Sequence, residues 1–153
     1  MNKFIGVSLT LLLVASMASA VVIESPAAHM TSMDQAVDLL TKDGFVSVAI
    51  VNSLGDLILV KTDTFGGSRA ETKVIVGKIR EGNYSKFISV VLNGVTYRLV
   101  KIGSDRLVAE VEGGKNGVVF KQTFLGRWIW IIGVYDENLN RLLAEEKILS
   151  IAS

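Results

Sequence analysis

Asn93-Gly94 lies between two β-rich runs, Ser85 to Leu92 and Val95 to Ile102. Asn-Gly tolerates the positive φ angles of a tight type I′ hairpin, so these runs should pair antiparallel in a fixed register. Downstream, Gly113-Gly114-Lys115-Asn116-Gly117 joins Leu107–Glu112 to Val118–Phe124 through a looser turn that glycine permits. Trp128 to Tyr135 follows as one more strand. The region from Leu92 to Asn138 therefore reads as an antiparallel meander of four strands. Trp128 and Trp130 fall on one face of the last strand, Ile129 and Ile131 on the other. Apolar residues on both faces point to a central strand covered on each side by helices.

The rest of the chain fits one domain. At 153 residues, even after loss of a leader, the chain has enough length for one core. Half of the residues are hydrophobic, above the usual share. The formal net charge of +1 argues against nucleic acid as the main partner, because phosphate binding needs a basic surplus. There is no cysteine, which excludes a disulfide framework, a thiolate nucleophile and a zinc–thiolate site.

Residues 1–30 form a leader and linker ahead of a domain at 31–153. Lys3, an apolar run from Phe4 to Ala15, and Ala18-Ser19-Ala20 describe a secretory signal peptide. Apolar residues continue to Ile23, which also suits a retained membrane anchor. A natural start at Met30 or Met33, or a junction at His29-Met30, is a third reading. Glu24 to His29 is linker and holds the one proline, Pro26.

Ser32-x-x-Gln35 offers a capping box, and Met33, Ala36, Val37 and Leu40 repeat at helical spacing. Gly44 stands where a left-handed cap ends such a helix. Phe45–Val51 and Leu57–Lys61 are strands around a Gly55-Asp56 turn, and Gly66-Gly67-Ser68 is a loop. In the tail from Asn138 to Ile151, Leu139, Leu142, Leu143 and Leu149 fall near one face of a closing helix.

Catalytic signals are weak. His29 is the one histidine, and its place in the linker removes a histidine base from the domain. Gly77-Lys78 precedes Ile79 rather than Ser or Thr, so it is no phosphate loop. Gly113 to Gly117 does not open a helix and lacks the context of a dinucleotide fingerprint. Glu110 and Glu112 share a strand face, which suits a solvated surface better than an acid/base pair. Asn83-Tyr84-Ser85 is a glycosylation sequon, relevant only to a eukaryotic secreted chain.

The order of these phrases resembles the profilin family. Asn93-Gly94-Val95-Thr96-Tyr97 is similar to the family's Gly-Gly-x-x-Tyr strand. Glu112 to Gly117 looks like its basic, Gly-rich turn, and Val119 to Thr123 like the alternating strand after it. Gly133-Val134-Tyr135-Asp136-Glu137 looks like its Gly-x-Tyr-x-Glu close. Val48–Val51, Leu54-Gly55-Asp56 and Leu57–Val60 resemble its first hairpin, and the match runs from about Thr31 to the C-terminus. The divergence suggests an archaeal-type or otherwise remote member.

The resemblance implies an α+β fold, with a single antiparallel β-sheet flanked by helices on both faces. It tips Glu71 to Arg80 toward helix, although Val74, Ile75, Val76 and Ile79 favour a strand by propensity. It implies a non-catalytic, cytoplasmic protein of the cytoskeleton that binds actin monomers and regulates filament assembly, with no cofactor or metal. Lys78, Arg80, Lys115, Phe120, Gln122, Tyr135, Glu137 and Asn138 occupy the implied actin-binding positions. Proline-rich peptides and acidic phospholipids are further implied partners of a monomer. The terminal segments Met33 to Leu40 and Leu139 to Ile151 lack the aromatics that grip a polyproline helix, a departure from the family that counts against peptide binding; Trp128 and Trp130, which otherwise read as core packing, are the aromatics left to contribute. Two alternatives stand beside this reading. One is a secreted or periplasmic α+β domain that binds a ligand or protein unrelated to actin. The other is an enzyme, since Ala36 to Lys61 faintly resembles small haem- or corrinoid-binding enzymes.

Overall fold

The computed structural model describes residues 32–60 and 69–152. The leader, His29 and the Gly66-Gly67-Ser68 loop lie outside them. Backbone contacts divide the chain into Met1–Ser32 and Met33–Ser153, and the second unit is the one whose architecture follows.

Its elements in chain order are α1 (Met33–Lys42), β1 (Ser47–Asn52), β2 (Leu57–Val60), α2 (Arg69–Glu81), β3 (Ser89–Leu92), β4 (Val95–Gly103), β5 (Arg106–Glu110), β6 (Gly117–Phe124), β7 (Trp128–Tyr135) and α3 (Arg141–Ala152). Among the described residues seven strands form one sheet in the order β2-β1-β7-β6-β5-β4-β3. Every neighbouring pair is antiparallel. Strands β3 to β7 make a five-strand meander, and β1 inserts its hairpin beside β7. Both Asn93 (φ 53°) and Gly94 (φ 73°) adopt the left-handed region, as a type I′ turn demands. The resulting register sets Leu92 opposite Val95 and Ser89 opposite Arg98.

Alternation along the strands splits the core in two. Ala49, Val51, Leu107, Ala109, Val118, Phe120, Trp130 and Ile132 point to one face, where Ile75, Val76 and Ile79 of α2 cover them. Val48, Ile50, Val108, Val119, Ile129 and Ile131 point to the other, under Ala36, Val37 and Leu40 of α1 and Ala144 and Ile148 of α3. The sheet is thus flanked by helices on both faces, and the fold class is α+β. Full burial of each Val, Leu, Ile or Phe side chain among them contributes about 1.5–3 kcal/mol.

Local chemistry ends the elements where the packing needs them to end. Helix α1 stops in a Schellman cap: Phe45 N–H donates to the Leu40 carbonyl (3.2 Å) and Gly44 N–H to Thr41 (3.2 Å), with Gly44 at φ 109°. The side chains of Leu40 and Phe45 both enter the core beneath. Asn52 organises the β1–β2 turn, its Oδ1 accepting from Leu54 N–H and Asp56 N–H, each at 2.9 Å. Asn140 caps α3 by accepting from Leu143 N–H at 2.9 Å.

Three expectations need correction. Ser85 to Leu92 is not one strand: Tyr84–Lys86 is a 3₁₀ turn, held by the Tyr84 hydroxyl donating to the Ile79 carbonyl at 3.1 Å, and β3 begins at Ser89. Strand β5 ends at Glu110 instead of Glu112, because Val111 N–H turns to Asn116 O (2.8 Å) and starts the Gly113–Gly117 turn. On α3, Leu142 and Leu143 are exposed, while Ala144, Glu145 and Ile148 form the buried face. Among the described residues no helix is long and apolar enough to cross a membrane.

Candidate functional site

Strands β6 and β7 carry most of the predicted contact residues, and their register separates those residues into two places. Gly117 faces Tyr135 at one end, while Gln122 faces Trp130 farther along. Five residues of strand separate these pairs, about 17 Å.

At the first end, Lys115 projects from the β5–β6 turn and Glu137 and Asn138 follow β7, all three exposed. Beneath them lies an ionic cluster. Arg141 Nη1 is 3.3 Å from Glu110 Oε1 and Arg141 Nε 3.9 Å from Glu145 Oε2. Lys101 Nζ reaches Glu145 Oε1 at 2.8 Å. Glu145 is buried, so these cations are what make its charge tolerable there. The Tyr135 hydroxyl donates to Glu110 Oε2 at 3.4 Å. Burial, then the Glu110 carboxylate, push the Tyr135 phenol well above its ordinary range.

At the second end, α2 leans over β6 and β7 and encloses a cavity of about 280 Å³. Arg80, Tyr84, Gln122, Ser53 and Ser104 line it together with the Trp130 ring. Arg80 Nη1 donates to the Ser53 carbonyl at 3.3 Å. Trp130 is 2% exposed, and its indole N–H has no acceptor among the protein atoms. A third feature, an apolar groove of about 360 Å³, runs between α2 and edge strand β3, with Lys78 on its wall beside Val74 and Val91.

The structure therefore brings Arg80, Gln122 and Trp130 together, sets Lys115, Glu137 and Asn138 apart from them, and places Lys78 on the outer flank of α2. Phe120 and Tyr135 must be removed from the contact set. Both are buried, Phe120 under α2 and Tyr135 in the core beneath α1 and α3, so neither offers a surface to a partner. Trp130 is likewise withdrawn as a peptide contact. Trp128 is 60% exposed and packs edge-on against Phe124, with ring centroids 5.5 Å apart. Sequence reasoning missed the cavity, whose walls come from separated segments, and it missed the Glu110–Arg141–Glu145–Lys101 cluster. Among the described residues no group of His, Cys, Asp or Glu side chains could hold a metal ion.

A search of the solved structures returns profilin IA of Acanthamoeba castellanii at a TM-score of 0.67, covering 79% of this chain and 94% of that one at 19% identity. The fold is the profilin fold. Profilin of Schizosaccharomyces pombe superposes at 0.66, with 17% identity over 80% of this chain and 92% of that one. LokiProfilin2, in its complex with rabbit actin, superposes at 0.64, with 17% identity over 78% and 92%. A scan against protein families and a search of curated proteins match nothing. The profilin fold is thus carried by a sequence that retains its architecture with few of its residues.

Proposed function

We propose that the chain binds actin monomers and regulates filament assembly, without catalysis, as a profilin-like protein of the cytoplasm. The observation that carries this reading is the profilin fold together with three exposed cations, Lys78, Arg80 and Lys115, on the implied contact positions. No carboxylate of a described residue pairs with any of them, so their charge is available to a partner. LokiProfilin2, of the same fold, is found in a complex with rabbit actin.

With Phe120 and Tyr135 removed, the proposed contacts are Lys78, Arg80, Lys115, Gln122, Glu137 and Asn138. We group them as one interface. A standard interface covers about 800 Å² per partner, a disc about 32 Å across, which spans the separation between the two ends of β6 and β7. Acidic phospholipids would meet the same cations. Proline-rich peptides are a weaker proposal. The outer faces of α1 and α3 present Leu39, Leu142 and Leu143 in place of aromatic rings, which leaves the Trp128–Phe124 pair as the aromatic surface for such a segment.

The deciding experiment is actin polymerisation, with actin from a matching source, followed as the full-length protein is added. Slower spontaneous nucleation and a complex with monomeric actin support the proposal. Unchanged nucleation at saturating protein, with no complex, returns the chain to the class of α+β binding domains unrelated to actin.

A further inference from the structure

Strand β3 ends the sheet, and its outer side is open. Leu92 and Val95 pair across the two-residue turn, and Leu99 N–H donates to the Ile88 carbonyl at 3.0 Å. Residues 88, 90 and 92 therefore spend their backbone groups on β4, and alternation turns the N–H and C=O of Ser89 and Val91 outward. Natural edges carry guards against pairing, such as lysine, proline or a bulge. Ser89-Val90-Val91-Leu92 holds no charge and no proline, and its register with β4 runs without a shift. Apolar side chains stand around it: Val74 is 60% exposed, Ile88 74% and Val91 45%. Helix α2 lies along this edge. The Glu71 carboxylate accepts from Asn93 N–H at 3.1 Å, just past the end of the strand. Seven residues on, Lys78 lines the groove toward the Tyr84 turn that leads into the start of the strand. Glu71, Val74 and Lys78 share one face of the helix, and the two charged residues are about 10 Å apart along its axis.

We propose that two copies of this chain pair edge to edge through β3, antiparallel about a two-fold axis at Val90, and continue the sheet from one copy into the other. This register sets Ser89 opposite Val91 of the second copy, and the reverse, so the outward backbone groups satisfy one another. The same axis lays α2 against its counterpart, with Glu71 facing Lys78 at both ends and Val74 meeting Val74 between them. The helix face is thus complementary to itself in charge, as a two-fold interface that uses one patch twice requires. One four-residue strand and two helical turns make an interface at the low end of size, under about 1,200 Å² in total, so association is reversible and depends on concentration. The inference goes beyond the actin reading and is measured without actin; the two meet at Lys78, which a dimer would occupy.

The test is sedimentation equilibrium of the full chain, whose mass should rise from that of a monomer toward twice it as concentration increases. Val91→Pro removes an outward N–H that β4 does not use and should abolish the rise, with circular dichroism checking the fold. Lys78→Glu brings like charges together at both ends and should weaken association about tenfold, and Glu71→Lys should do the same. Mixed in equal amounts, the two charge variants should form a heterodimer tighter than either self-pair, because each end then joins opposite charges. The mixing result stands whether or not Val91→Pro folds. A monomer at every concentration overturns the proposal and leaves the edge to a strand of another protein. Association that survives in a folded Val91→Pro chain, or charge variants that gain nothing on mixing, overturns it too.

Discussion

Gly117 and Tyr135 face each other across β6 and β7, and the Tyr135 ring occupies the space that a Cβ at position 117 would need. The carbonyl of Ala109 closes the same space from β5, 2.7 Å from where that Cβ would stand. Glycine is required here for close approach. Gly117→Ala should therefore destabilise the domain by about 1–3 kcal/mol, the usual cost of overpacking, measured by denaturant unfolding. Because Tyr135 is pinned by Glu110 and by the core under α3, the ring has little room to retreat. An alanine variant of unchanged stability would show that the ring moves freely.

Gly94 is required for a different reason. Nothing lies within 4 Å of a Cβ built on it, yet its φ is 73°. Gly94→Val should cost roughly 1–2 kcal/mol from backbone conformation alone, read as a lower melting temperature. Gly94→Asn should recover much of that loss, since Asn tolerates the left-handed region. Equal losses in both variants would point to packing instead of φ.

These two glycines show what the sequence made legible. Asn93-Gly94 announces its turn through local chemistry, and the structure places the hairpin in the expected register. The helical spacing of Thr72, Ile75, Val76 and Ile79, all buried, was also present in the sequence, although β-branched residues masked it. The site was less legible. Phe120 was misplaced because β6 is covered on both faces, so no alternation marks an outer side. Leu142 and Leu143 misled because α3 buries a charged residue, Glu145, whose partners Lys101 and Arg141 come from β4 and from its own first turn. The cavity draws on Ser53, Arg80, Tyr84, Ser104, Gln122 and Trp130, which only the folded topology assembles.

Alkaline pH should expose the role of Tyr135. Its phenol is raised from the ordinary 10.0 by burial and then by Glu110, so the folded state keeps a proton that the unfolded chain releases. That stability is complete below pH 10 and is lost as pH rises toward the folded-state value. Tyr97, raised by burial, acts in the same direction. Unfolding free energy should fall with pH above about 10, and Tyr135→Phe should flatten part of the fall. An identical slope in that variant would assign the alkaline loss to other groups.

The proposed boundary at residue 31 predicts that a chain beginning at Thr31 folds alone. Helix α1 opens at Met33, and Ala36, Val37 and Leu40 are its buried residues. Thermal unfolding of the shortened chain should be cooperative, with a sharp transition in near-ultraviolet circular dichroism. A broad or absent transition would mean that residues 1–30 complete the core.

Charge should govern encounter with actin. Lys78, Arg80 and Lys115 are exposed, and exposed interface charges act mainly on association rate. Reversing Lys78 and Lys115 together to Glu should slow complex formation and weaken the inhibition of nucleation, by about 1 kcal/mol or more if both meet acidic groups. The difference from wild type should shrink as salt shortens the Debye length to about 3 Å at 1 M. Phe120→Leu is a contrasting control: its side chain is buried, so it should lower stability and leave the association rate intact. Stopped-flow binding across a salt series separates the two effects. A double reversal that leaves the rate and its salt dependence unchanged would place the actin contact, if one exists, on another face of the domain.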